Sequence, residues 1–259
     1  MQSRETAPRL LMSALAAVAA AIIAACATTV QQETANEPPT SVETLSYYSF
    51  QVKGYQNSYP RRRVLVLMPL DSRDFKDVAG QTREPANGNP AVGVILAPSG
   101  GVIQRIYSSP LGPVVQSALV RSADEAGMLA TASNDTLEAA LKETNEDYVL
   151  ASRITRCWVN KHSAPDAGSS SNLGWFTTAD VALDLTIYKP PFNVPFWQGE
   201  SAATYNDPPA DNGSGLGDDV SIYDLPGEVL SVALTRSVAG GFKRGALQSL
   251  IVQDSMPPR

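Results

Sequence analysis

The sequence predicts an α/β (α+β) domain: a small mixed sheet of about four to five strands packed against two main helices, with long loops between them. Three observations lead there. Val181, Leu183, Leu185 and Ile187 alternate with Asp180, Ala182, Asp184 and Thr186, the period-two pattern of a strand with one apolar face. Leu111, Val114, Val115, Ala118, Leu119 and Ser122 recur at the spacing of a single buried helical stripe. Segments of these two kinds follow one another as strand, loop, helix, short helix, strand, strand, strand and long helix, the order of a layered fold.

Arg61-Arg62-Arg63 leads into Val64-Leu65-Val66-Leu67-Met68, a short buried strand that Pro69 ends. Residues 71–109 carry no helical period and contain Pro85, Asn87-Gly88, Pro90, Pro98 and Gly100-Gly101, so a long loop is expected, with Val92-Gly93-Val94-Ile95-Leu96 as a short strand inside it. A helix is expected from Pro110 to Ala126, capped by Ser109, with Pro110 in its first position and Gly127 ending it. Asp135–Thr144 is a shorter helix with Leu137 and Leu141 on one side and Asn134 or Asp135 as its cap, and it runs straight into a strand at Tyr148–Val159. Ala179–Tyr188 is the clear alternating strand, and Phe196–Tyr205 returns beside it after Lys189-Pro190-Pro191. A second loop, Asn206–Asp224, precedes a long helix over Pro226–Ile251, in which Gly240-Gly241 predicts a kink or a close approach to a neighbour.

The N-terminal residues have a different character. Arg4 and Arg9 precede a small and apolar run from Leu10 to Ala25, which ends at Cys26. That run is shorter than the ~20 residues a membrane-spanning helix needs, and its basic start marks a signal peptide over residues 1–25. Ile23-Ala24-Ala25-Cys26 resembles the lipobox of bacterial lipoproteins, which implies acylation of Cys26 and its exposure as the new N-terminus. Several acyl chains are enough for stable anchoring without a spanning segment. Ala27 stands where lipoproteins kept in the inner membrane typically have Asp, so the resemblance implies the periplasmic face of the outer membrane. Residues 26–60, rich in Thr, Gln, Glu, Asn, Pro and Ser, read as a flexible tether with a docking strand near Leu45–Val52, and residues 61–259 as a single periplasmic domain.

Composition excludes several function classes. The chain has 20 basic and 26 acidic residues, a formal charge of −6, which argues against a nucleic-acid partner. With Cys26 acylated, Cys157 is the other cysteine, so no intrachain disulfide forms, and its place in a strand predicts a buried small hydrophobe. One histidine, His162, and one free thiol do not make up the usual zinc ligand sets. His162 is read as a solvated loop residue, and no Gly-x-Ser-x-Gly elbow aims a serine. Gly213-Ser214-Gly215-Leu216-Gly217 lacks a strand before it and a helix after it, so it is a weak nucleotide signal. Asp207, Asp211, Asp218, Asp219 and Asp224 miss the spacing of a calcium loop and read as a solvated acidic loop. No enzyme activity, cofactor or metal is expected. Trp158, Trp175, Phe176 and Trp197, at strand ends and loops, are the candidate partner-docking residues, weighed against packing under the loops.

Three stretches carry a family resemblance. Val64-Leu65-Val66-Leu67-Met68-Pro69, the helix end Glu125-Ala126-Gly127, and Asn145-Glu146-Asp147-Tyr148-Val149-Leu150 look like periplasmic lipoprotein domains related to the TolB N-terminal fold. Within that set the chain is most similar to the ABC-type transport auxiliary, PqiC-like lipoproteins. The Trp197-Gln198-Gly199-Glu200-Ser201-Ala202 strand and the alanine-bearing last helix agree with it. The resemblance covers about residues 61–251 and implies a non-enzymatic protein partner in envelope transport or assembly. The reading from a different class is a lipoprotein that holds a lipid or hydrophobic small molecule between the sheet and the long helix.

Overall fold

The computed structural model describes residues 40–48, 62–73, 88–163, 175–190, 194–207 and 225–243. The chain divides into two units, 1–39 and 40–259, and all described residues belong to the second. The expected signal peptide, Cys26, the loop glycines 213–217, Asp211, Asp218, Asp219 and Asp224, and the end of the last helix lie outside the described residues.

Among the described residues, nine strands and three helices follow in the order β1 (Thr40–Glu43), β2 (Arg63–Leu67), β3 (Leu70–Asp71), β4 (Ala91–Leu96), β5 (Val102–Ser108), α1 (Leu111–Glu125), β6 (Leu129–Ser133), α2 (Leu137–Glu143), β7 (Tyr148–Ser163), β8 (Trp175–Tyr188), β9 (Pro195–Asp207) and α3 (Pro226–Lys243). The class is the expected mixed α/β, but the nine strands form one sheet larger than the four to five read from sequence. β7 is its axis. Along one edge β7 takes β2, β3 and β4 in succession, all parallel, and along the other it pairs antiparallel with β8 from Val149↔Tyr188 to Ser163↔Trp175. β6 extends the sheet beyond β2, β5 and then β1 extend it beyond β4, and β9 lies outside β8.

Side-chain period explains why β7 must carry a bulge. Tyr148, Leu150 and Ile154 sit on even positions of the strand, whereas Cys157 and Val159 are odd, yet all five are buried in one core. A strand of strict period two would turn the second pair to the opposite face. Between Ile154↔Leu183 and Arg156↔Ala182 the register gains one residue, Thr155, whose hydroxyl donates to the Ala182 carbonyl at 3.1 Å. The extra residue returns Cys157 and Val159 to the inner face.

The main core lies where α1 and α3 cover that face. Val181, Leu183, Leu185 and Ile187 are all buried in it, as their alternation predicts, together with Leu111, Val115, Leu119, Leu230, Leu234 and Val238. α1 begins one residue later than expected: Pro110 is the N-cap, with ψ of 125°, and Ser109 does not cap it. Its end agrees with the sequence. Gly127 has φ of 88°, its N–H donates to Asp124 O and that of Met128 to Ala123 O, the paired bonds of a Schellman close. Gln116, buried on α1, donates to Val66 O at 3.0 Å and Ser133 O at 2.8 Å, tying the ends of β2 and β6. α2 begins at Thr136, whose hydroxyl accepts from the Ala139 N–H, and covers part of the opposite face with Leu137, Ala140 and Leu141.

α3 runs through Gly240 and Gly241 without a break, so close approach is the reason for them. A Cβ at Gly241 would lie 2.7 Å from Leu185 Cδ1, and one at Gly240 3.2 Å from Ser201 Oγ. Ser201 and Ser237 exchange hydroxyl-to-carbonyl bonds across the same contact. Within the expected tether, residues 40–48 belong to the folded body. β1 pairs with β5, Leu45 is buried, and the N–H groups of Ser46 and Tyr48 donate to Ser231 Oγ and Thr235 Oγ1, each at 3.0 Å. Expected docking residues beyond Tyr48 lie outside the described residues.

Candidate docking face

The face of β7, β8 and β9 turned away from α1 and α3 is polar, because every second residue of an antiparallel pair points to the wet side. In register across it stand Trp158, Asp180 and Thr204, then Arg156, Ala182 and Ala202, then Arg153, Asp184 and Glu200. Arg156 bridges Asp180 at 3.1 Å and Glu200 at 3.4 Å, and the Thr204 hydroxyl donates to Asp180 Oδ1 at 3.2 Å. These pairs are exposed, so each contributes less than about 1 kcal/mol. Their effect is to fix which charges are used up within the face.

The docking aromatics do not form one patch. Trp158 points to this outer face, and its indole N–H donates to Asn160 Oδ1 at 2.8 Å. Phe176, on the same face, stacks on His162 with ring centroids 6.3 Å apart. His162, expected in a loop, is therefore a strand residue with an aromatic neighbour. Trp197 lies on the other face, in register with Ile187, half-buried against the main core. Its ring covers Gly199, where a Cβ would lie 2.7 Å from Trp197 Cη2. Trp175 opens β8, and its side chain lies outside the described residues.

A groove of about 640 Å³ lies further along the outer face. It crosses β9, β8 and β7 and ends against β3 and the start of α2. Leu67, Met68, Leu70, Leu137 and Tyr188 supply its apolar end, and Arg153, Asp184, Glu200 and Asp135 its charges. Leu70 is 58 % exposed and Met68 37 %, high for large apolar side chains. In the sequence pattern Asp184 and Thr186 mark only a wet face. The groove arises because parallel pairing sets Leu70 beside Arg153, more than 80 residues along the chain, and no local pattern reports that.

Cys157 is buried, as expected, and burial pushes its thiol up to about 12, with Arg73 acting in the opposite direction. Arg73 is itself buried. It pairs with Asp71 at 2.8 Å and donates to the carbonyls of Ala91 and Cys157, which joins β3, β4 and β7. Asp207, assigned to the acidic loop, is buried at the end of β9. Among the described residues no three His, Cys, Asp or Glu side chains gather as metal ligands, and no helix is long and apolar enough to cross a membrane.

No protein-family model matches the chain, and no curated protein matches it. Solved structures do. A protein of the DUF330 family from Xanthomonas campestris aligns over 83 % of this chain and 99 % of its own, with 13 % identity and a TM-score of 0.47. A PelC dodecamer from Paraburkholderia phytofirmans aligns over 71 % and 94 %, with 11 % identity and a TM-score of 0.34. A putative lipoprotein from Caulobacter crescentus aligns over 64 % and 93 %, with 9 % identity and a TM-score of 0.30. Bacterial lipoproteins are thus among the structures this chain is similar to.

Proposed function

We propose that the chain is a lipid-anchored protein on the periplasmic face of the outer membrane and acts, without catalysis, as an adaptor in an envelope transport or assembly complex. The observation that carries the anchoring is Ile23-Ala24-Ala25-Cys26 behind Arg4, Arg9 and the apolar run. The resemblance of residues 61–251 to transport auxiliary lipoproteins points the same way. Support for protein partners comes from the outer face, where a solvent-open groove with exposed Leu70 and Met68 adjoins unneutralised charge. The second reading places a hydrophobic ligand between the sheet and α3. That space is filled among the described residues by Leu185, Leu230, Leu234 and Val238, with Gly241 drawn against Leu185.

Metabolic labelling with an alkyne palmitate analogue tests the anchor. The native chain takes up label and stays with membranes, whereas Cys26→Ala loses the label and is released. Equal labelling of the two proteins would overturn the anchor. Crosslinking in intact cells followed by purification tests the adaptor: the native chain returns with defined envelope proteins, and its return alone, carrying a bound lipid, would favour the second reading.

A further inference from the structure

We infer that the groove on the outer face takes an extended peptide segment of a partner protein, with one apolar side chain seated against Leu70 and Leu137 and a Lys or Arg three to four residues away facing Asp184. The inference rests on the adaptor reading and names the partner's docking element. Charge complementarity selects the occupant. The groove holds three carboxylates, Asp135, Asp184 and Glu200, against one guanidinium, Arg153. Glu200 is engaged by Arg156, and Asp135 accepts from the Ser133 hydroxyl at 2.6 Å. Asp184 stands in register with Arg153, yet the two form no ion pair. Its carboxylate is exposed at the groove and remains available to an incoming cation.

Length fits the same occupant. From β3 across β7 to β8 is two strand spacings, and to β9 three, so the apolar end lies about 10–14 Å from the acidic row. An extended peptide covers that in about three to four residues at ~3.3 Å each. Gln198, Thr186 and Thr136 line the way and offer partners to a peptide backbone. An acyl chain would find the apolar surface at one end only and would leave the rest of its length over polar groups.

The test uses the full chain in detergent and fluorescein-labelled decapeptides of Ala and Ser that carry Leu and, three residues on, Lys or Glu. Anisotropy should show the Leu/Lys peptide binding, and the Leu/Glu peptide binding roughly tenfold more weakly. Asp184→Asn should weaken the Leu/Lys peptide about threefold, and Leu70→Ser roughly tenfold; both residues are exposed, so circular dichroism should match the native spectrum. Equal binding of the two peptides, or native affinity in both variants, overturns the inference. It is also overturned if the variants leave peptide binding intact and instead reduce binding to phosphatidylethanolamine vesicles, or reduce self-association in sedimentation. If the Asp184→Asn, Leu70→Ser double variant recovers crosslinked envelope proteins as fully as the native chain, the groove falls and the adaptor reading stands. If the native chain recovers none while the Leu/Lys peptide binds as stated, the adaptor reading falls and the groove stands.

Discussion

Among the described residues, Cys157 and Tyr47 have their ionisation suppressed by burial, and both link stability to alkaline pH. Burial raises Cys157 from 9.0 to about 12, and burial first, with the neighbouring Glu125, raises Tyr47 from 10.0 to about 12. In the unfolded chain each group ionises at its ordinary value, while the folded protein keeps the proton. Above pH 9 the unfolded state therefore binds fewer protons and stability falls as pH rises. Thermal melts should show a plateau below pH 9 and a decline between pH 9 and 12, and Tyr47→Phe should flatten the part above pH 10. An unchanged profile in Tyr47→Phe would show that Tyr47 is not the group concerned. At the glycines of α3 and β4, propensity and packing oppose each other. Gly241→Ala gains roughly 1 kcal/mol of helix propensity but drives a methyl into Leu185, and overpacking costs about 1–3 kcal/mol. The expected net effect in denaturant melts is destabilising. At Gly93 the obstacle is the Val159 backbone carbonyl and side chain, which have nowhere to move, so Gly93→Ala should cost more than Gly241→Ala.

Among the elements, β7 carries the most constraint, because three parallel strands and one antiparallel strand share its register. Thr155 is the residue that the ladder leaves out. Its deletion leaves Ile154, Cys157 and Val159 in strict alternation with Arg156 and Trp158, so a Thr155 deletion should keep a cooperative melt, whereas one Ala inserted after Thr155 would turn Cys157 and Val159 toward water and give an insoluble product. A soluble insertion variant with a native near-ultraviolet spectrum would show that the bulge does not set the register. What was legible in the sequence divides along the same line. β8 was legible because its inner residues are uniformly branched and its outer ones polar. β6, Leu129-Ala130-Thr131-Ala132-Ser133, is an edge strand of small residues with Leu129 exposed, so no apolar alternation marks it. β5 has the sequence pattern of a loop because Gln104 and Arg105 interrupt its apolar residues, and it becomes a strand through pairing with β4 and β1.

For the molecule as a whole, long-range pairing decides what composition and pattern do not. The sequence pattern marks four to five strands and long loops, whereas short strands joined to β4 and β2 enlarge the sheet to nine. The candidate aromatics share a residue type, and the sheet separates them: Trp158 and Phe176 fall on the outer face and Trp197 on the inner one. The groove that does gather a distinct chemistry draws on β3, α2, β7, β8 and β9, and no window of sequence contains it. The attachment of residues 40–48 has a mechanical side. A pull on the chain ahead of Thr40 is met by four residue pairs between parallel strands and by the bonds from Ser46 and Tyr48 to α3. Loaded along the strand, the pairs share the force instead of yielding one at a time, so tension applied ahead of Thr40 falls on β1 and its bonds to α3 before it reaches β7, β8 and β9.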